Sequence, residues 1–192
     1  MSNSAHSETG PAGYRDQFML NMAAAIHHQG YMAIAVGSGA CSVPDCECND
    51  VGQAYTYTVG LVERGQPELV VLGATPDSSH FLIDYAVKQI YPGHSLAYNR
   101  KQMLNGHAFM LQQANYMWLA YDVDRMAMWV NHYASGRREL TLPQVTQIVW
   151  ADSKNRFPGE RGCDRSCVAA QPLLAKDPYS YPLRRNSEQD LE

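Results

Sequence analysis

No stretch of this chain approaches the ~20 consecutive apolar residues of a membrane-spanning helix. The opening MSNSAHSETGPAG has no apolar core of the kind a secretory signal carries. These two absences point to a cytoplasmic protein with no membrane partner. A basic surplus is missing too: Lys+Arg is 15 against Asp+Glu 19, a net charge of -4. Arg137-Arg138 and Arg184-Arg185 are isolated pairs. Nothing resembles the basic face of a nucleic-acid binder. The local signatures of well-known chemistries are absent as well. There is no G-x-S-x-G, no Walker loop, no G-x-G-x-x-G, no H-x3-H, no H-E-x-x-H and no C-x2-C. Gly37-Ser38-Gly39-Ala40 is glycine-rich, but no helix start follows it, which argues against a phosphate loop.

What is present suits one domain. A chain of 192 residues is long enough to bury roughly 70% of its unfolded surface. The polar lead-in 1–13 reads as disordered. Residues 14–174 read as a single domain. The Pro-, Tyr- and charge-rich end 175–192 reads as an extended or disordered tail.

Periodicity supplies the elements. Phe18, Met22, Ala25 and Ile26 recur at helical spacing and Gly30 stands as the stop, so Tyr14–Gln29 is expected to be a helix. Tyr31–Val36 follows as a strand, then the loop Gly37–Asp50. In Gln53–Leu61, Tyr55, Tyr57 and Val59 share one strand face, with Thr56 and Thr58 on the other. Glu63–Gln66 is a turn, and Glu68–Leu72 is an apolar run suited to a central strand buried on both faces. Short polar turns between β-rich runs imply antiparallel pairing of those two strands. Thr75-Pro76 reads as helix cap and first helical residue. That helix should end before Pro92-Gly93. His107–Gln112 and Tyr116–Tyr121 read as strands, Asp122–Gly136 as a helix, and Pro143–Trp150 as a last strand. The sum is an α+β domain with a mostly antiparallel sheet and about three packing helices.

Ordered motifs within this frame resemble a known family. They are Gln29-Gly30-Tyr31, Tyr57-Thr58-Val59-Gly60-Leu61, Pro67-Glu68-Leu69, Trp150-Ala151-Asp152, Arg156-Phe157-Pro158 with Glu160, and Gln171-Pro172-Leu173-Leu174. Their order and spacing are similar to the bacterial family catalogued as domain of unknown function 4262. Gln29 stands where that pattern has His, Gly159 stands where it has an aromatic, and the loop Cys41–Cys48 is richer in cysteine. The resemblance implies a fold and no reaction.

Two groups carry candidate chemistry. Asp152, Arg156 and Glu160 lie past a strand end, where side chains project from a rigid sheet. An Arg there can clamp an anionic group, with a carboxylate as base or orienter. It can equally tie down the C-terminal segment. With Tyr57 and Thr58, whose other role is sheet packing, these three make a candidate ligand-binding set. Cys46, Cys48, Cys163 and Cys167 are a candidate metal set, zinc being the cofactor considered. Free thiols and disulfides are the alternatives. The expected function is a binding or regulatory module for a small molecule or a protein. One alternative is a hydrolase or transferase using Arg156 with Asp152 or Glu160. Another is a cysteine-ligated zinc or iron–sulfur protein. No complete nucleophile–base–orienter set is legible, so enzyme activity stays open.

Overall fold

The computed structural model describes residues 11–36, 54–90, 97–115 and 144–176. The loop Gly37–Asp50, the strand expected at Tyr116–Tyr121, the helix expected at Asp122–Gly136, residues 1–10 and residues 177–192 lie outside that set. Helix α1 spans Pro11–Gln29, three residues earlier than its periodicity suggests, and Gly30 N–H closes on Ile26 O at 2.8 Å. Strands β1 (Met32–Val36), β2 (Tyr55–Val59) and β3 (Glu68–Leu72) follow. The expected turn between β2 and β3 is a 3-10 turn, Leu61–Arg64. Helix α2 spans Pro76–Ile90. Then come β4 (Gln102–Leu104), β5 (His107–Gln113), β6 (Val145–Trp150) and a short helix, α3 (Arg165–Ala170).

The six strands form one mixed sheet in the order β1-β2-β3-β6-β5-β4. Every pairing is antiparallel except the central one, β3 with β6. β2 and β3 are antiparallel neighbours, as the short turn requires. A single α+β domain with a mostly antiparallel sheet is therefore what this sequence makes, with three helices among the described residues.

Each face of the sheet is covered. Met22 and Ile26 of α1 pack on Ile34, Tyr57, Val59, Val70 and Leu72. Ile83, Ala86 and Val87 of α2 pack on the other face against Leu69, Val71, Phe109, Leu111 and Ile148. Leu69–Leu72 of β3 alternate between the two clusters, and with Glu68 all five residues of the strand are buried. That is why its sequence is an apolar run and not an alternating one. Phe157 and Leu173 close the remaining part of the α1 face over Ala108 and Val149. No helix among the described residues is long and apolar enough to cross a membrane.

Two strands were not legible as a pair. β4 and β5 form a hairpin through Asn105-Gly106, with φ of 49° and 84°. Positive φ at both positions is the requirement of the tight turn that matches strand twist, and Asn-Gly is its commonest sequence.

Candidate functional site

The parallel pair runs in register from Glu68 opposite Val145 to Val70 opposite Gln147. Beyond that point β3 and β6 part. The Ala151 N–H donates to Ala108 O of β5 at 3.0 Å. Strand alternation therefore aims the main-chain groups of Trp150 toward the β3 side. Gln171 meets them: Trp150 N–H donates to its Oε1 at 3.1 Å, and its Nε2 donates to Trp150 O at 2.5 Å. A side-chain amide thus takes the place of a strand. The Trp150 indole N–H donates to Leu72 O at 2.8 Å and spans the gap between the strand ends.

A cleft of about 610 Å³ opens at this divergence. Gly73 and Ala74, just after β3, and Trp150 and Ala151, at the end of β6, line its base. Thr75, Ser78, Phe81 and Leu82 of the α2 start make one side, and Leu104, Asn105, His107 and Ala108 of the hairpin make the other. Thr75 is the cap its position suggests: its Oγ1 accepts Ser78 N–H at 3.3 Å and donates to Ser78 Oγ at 2.9 Å. Phe81, half exposed at 51%, stands at the rim.

The Asp152–Glu160 turn borders this cleft, and within it Asp152 and Arg156 pair with each other. Asp152 Oδ1 accepts the N–H groups of Lys154 and Arg156 at 2.9 and 3.0 Å. Its Oδ2 accepts Arg156 Nε and Asp164 N–H, both at 3.0 Å. Arg156 Nη2 lies 2.8 Å from Asp152 Oδ2 and 3.3 Å from Asp164 Oδ1. Glu160 Oε2 accepts Phe157 N–H at 2.9 Å. Burial pushes the Asp152 carboxyl upward, but Arg156 and the three backbone donors outweigh it and hold the group well below the ordinary 3.8. A lowered carboxyl stabilises the fold above its ordinary range and loses that contribution as pH falls from that range through the lowered value of the folded state. Arg156→Lys keeps the charge but loses the planar fork to Asp152 and Asp164. The expected result is a melting temperature lower by a few degrees at pH 7. That deficit should shrink below about pH 4, where Asp152 of the unfolded chain is protonated. A variant that melts with the parent at neutral pH would contradict this role.

Tyr57 and Thr58 lie elsewhere. Tyr57 sits opposite Val70, so the Thr58 end of β2 lies beside Glu68 and the beginning of β6, whereas Asp152 follows the end of β6. The structure pairs Asp152 with Arg156, sets Glu160 on Phe157 N–H in the same turn, and does not bring Tyr57 and Thr58 to them. Tyr57 is buried, and its hydroxyl has no partner among the described residues. Burial, then Tyr55 and Glu68, pushes that phenol up. Thr58 is wholly buried; its hydroxyl donates to Glu68 Oε2 at 2.7 Å and accepts Leu69 N–H at 2.8 Å.

Of the candidate metal set, Cys46 and Cys48 lie outside the described residues. Cys163 and Cys167 carry free thiols. Among the described residues no group of three or more His, Cys, Asp or Glu is placed to hold a metal ion.

Sequence reasoning passed over most of the cleft. Thr75-Pro76 was legible as a helix start and Trp150-Ala151 as a strand end within a family motif, and Asn105-Gly106 was the available signal for the hairpin. Their meeting depends on parallel pairing between strands more than 70 residues apart in sequence, 68 against 145.

No curated protein and no solved structure matches the chain. A family model described as a domain of unknown function (DUF4262) matches residues 25–164, from the end of α1 through the Asp152–Glu160 turn, and the chain belongs to that family.

Proposed function

We propose that this domain is a small-molecule binding module whose ligand occupies the cleft between the ends of β3 and β6. The observation that carries this reading is the divergence of the two central parallel strands. Crevices outside the carboxyl ends of parallel strands are where open α/β sheets hold ligands, because the side chains and loops that leave the strands converge there. The cleft has the volume of a small-molecule site, a mostly apolar lining and a few polar groups, namely Thr75, Ser78, Asn105 and His107. Trp150 and Phe81 offer ring surfaces, so the ligand class is a compact molecule with a flat ring. The Asp152–Glu160 turn supports the site from behind: Asn155 Oδ1 accepts Ala108 N–H at 2.7 Å, and Asn155 Nδ2 donates to Gly106 O at 3.1 Å.

The test is a thermal-shift screen of ring-bearing fragments followed by titration of the hits. Phe81→Ala removes a half-exposed ring, so the fold should survive. Loss of that wall is expected to weaken a cleft ligand by about 10-fold, near 1.4 kcal/mol. Hits whose affinity is the same for Phe81→Ala and for the parent, or a screen without hits, would sink the proposal.

A further inference from the structure

Two thiols on the C-terminal segment take no part in the cleft lining. Cys163 is half-buried and Cys167 is buried, and both are free. They flank Asp164, which precedes α3, and Cys167 lies in the first turn of that helix. The Cys163 thiol donates to Arg156 O at 3.5 Å and also reaches Asp164 O at 3.9 Å. The same Asp164 carbonyl accepts Val168 N–H at 3.1 Å. Cys163 sulfur therefore lies against the turn that carries Cys167. On its other side Cys167 Sγ accepts Gln171 Nε2 at 3.3 Å and lies 3.9 Å from Trp150 O. Burial pushes the Cys167 thiol up to about 11 against the pull of Gln171, and the neighbouring Cys163 adds to the rise.

We propose that Cys163 and Cys167 form a dithiol site for exchange with a low-molecular-weight disulfide. Cys163, the more accessible sulfur, meets the reagent. As its thiolate it attacks one sulfur of the disulfide; that S–S bond breaks, and one thiolate leaves and takes a proton. Cys167 then gives up its proton, attacks the Cys163 sulfur of the mixed disulfide and expels the second thiol. Two protein thiols are oxidised to one disulfide, and the reagent is reduced to two thiols. The buried Cys167 is the resolving partner, because the reagent reaches the half-buried Cys163 first.

The experiment treats the full chain with oxidised glutathione, blocks remaining thiols and maps peptides without reduction. Trypsin cuts after Arg161, Arg165 and Lys176, so the expected disulfide joins peptide 162–165 to peptide 166–176. Cys167→Ser is expected to trap glutathione on Cys163. Cys163→Ser is expected to slow reaction at Cys167 by about 10-fold or more. Three results would overturn the proposal. One is a mixed disulfide that persists on Cys163 in the unaltered chain. Another is Cys163 or Cys167 joined to Cys41, Cys46 or Cys48. The third is about one zinc per chain by elemental analysis, with Cys163 and Cys167 inert until a chelator removes it. The map of the unaltered chain decides the question even where a serine variant fails to fold.

Discussion

Glu68→Leu is expected to remove about 3–5 kcal/mol of stability, because it leaves several buried donors without an acceptor at once. Glu68 is 1% exposed. Its Oε1 accepts Gly60 N–H at 2.8 Å and Val62 N–H at 3.2 Å, and its Oε2 accepts the Thr58 hydroxyl at 2.7 Å. These donors belong to the start of the 3-10 turn and the end of β2, so one carboxyl holds the β2–β3 connection from inside. A loss of that size is a fall of about 10 °C or more in melting temperature. Urea denaturation followed by tryptophan fluorescence would measure it, and a loss under ~1 kcal/mol would contradict the reading.

Glu68 also makes a pH prediction of definite sign. Burial raises its carboxyl above the ordinary 4.5, and the hydrogen bonds from Thr58, Val62, Gly60 and Leu61 only partly offset that. The folded state therefore holds this proton more tightly than the unfolded state. The contribution is fully present below about pH 4.5 and is lost as pH rises through the folded value. Glu68→Gln is isosteric and cannot ionise. The variant is expected to trail the parent most at low pH and to close the gap as pH rises. A gap that widens with pH would mean that Glu68 is held ionised instead.

Gly73→Ala is the second large effect, with an expected loss of about 3–5 kcal/mol. Gly73 follows β3 with φ of 66°, and its N–H donates to Ala54 O at 2.6 Å. A β-carbon there would lie 2.0 Å from Ala170 O and 2.6 Å from Ala170 C, both main-chain atoms of α3. Backbone cannot swing aside as a side-chain tip can, so α3 must lift away from the sheet. Gln171 would move with it, and with Gln171 the anchor of Trp150. Gly65 supplies the control: its φ is 68°, but a β-carbon there meets nothing within 4 Å. Gly65→Ala should cost only the left-handed penalty, about 1 kcal/mol. Denaturation midpoints for the two variants separate the terms. Equal losses would show that α3 yields to the added carbon without penalty.

The strength of the Gly73 contact explains why α3 is worth its short length. Six residues make no stable helix alone. Here Gly73 admits the helix end closely, and Gln171 and Gln147 fasten the segment that follows. Gln147 Nε2 donates to Pro172 O at 2.9 Å, and its Oε1 accepts Leu174 N–H at 2.7 Å. Gln147, in the last strand, and Gln171, in the Gln171–Leu174 motif, are polar, yet both are completely buried. The Gln171 amide satisfies the main-chain groups of Trp150 where the strands diverge, and the Gln147 amide satisfies those of Pro172 and Leu174 in the C-terminal segment.

The amino-acid order by itself determined the local elements. The 3.6-residue recurrence of Phe18, Met22 and Ile26 marks α1, the run Glu68–Leu72 marks a strand covered on both faces, and Thr75-Pro76 marks the start of α2. These are readable because side-chain periodicity and capping act within a few residues. Only the tertiary structure decided that β6 lies parallel beside β3. With that pairing it set the cleft at one end of the sheet and Thr58 with Glu68 at the other. It also decided that Arg156 meets Asp152 and Asp164, and that Glu68, a charged residue in a strand pattern, is the buried acceptor of the β2–β3 turn. The β3–β6 pairing joins residues far apart along the chain, and the contacts of Arg156 and Glu68, though close in sequence, depend on how their turns fold; side-chain periodicity records neither.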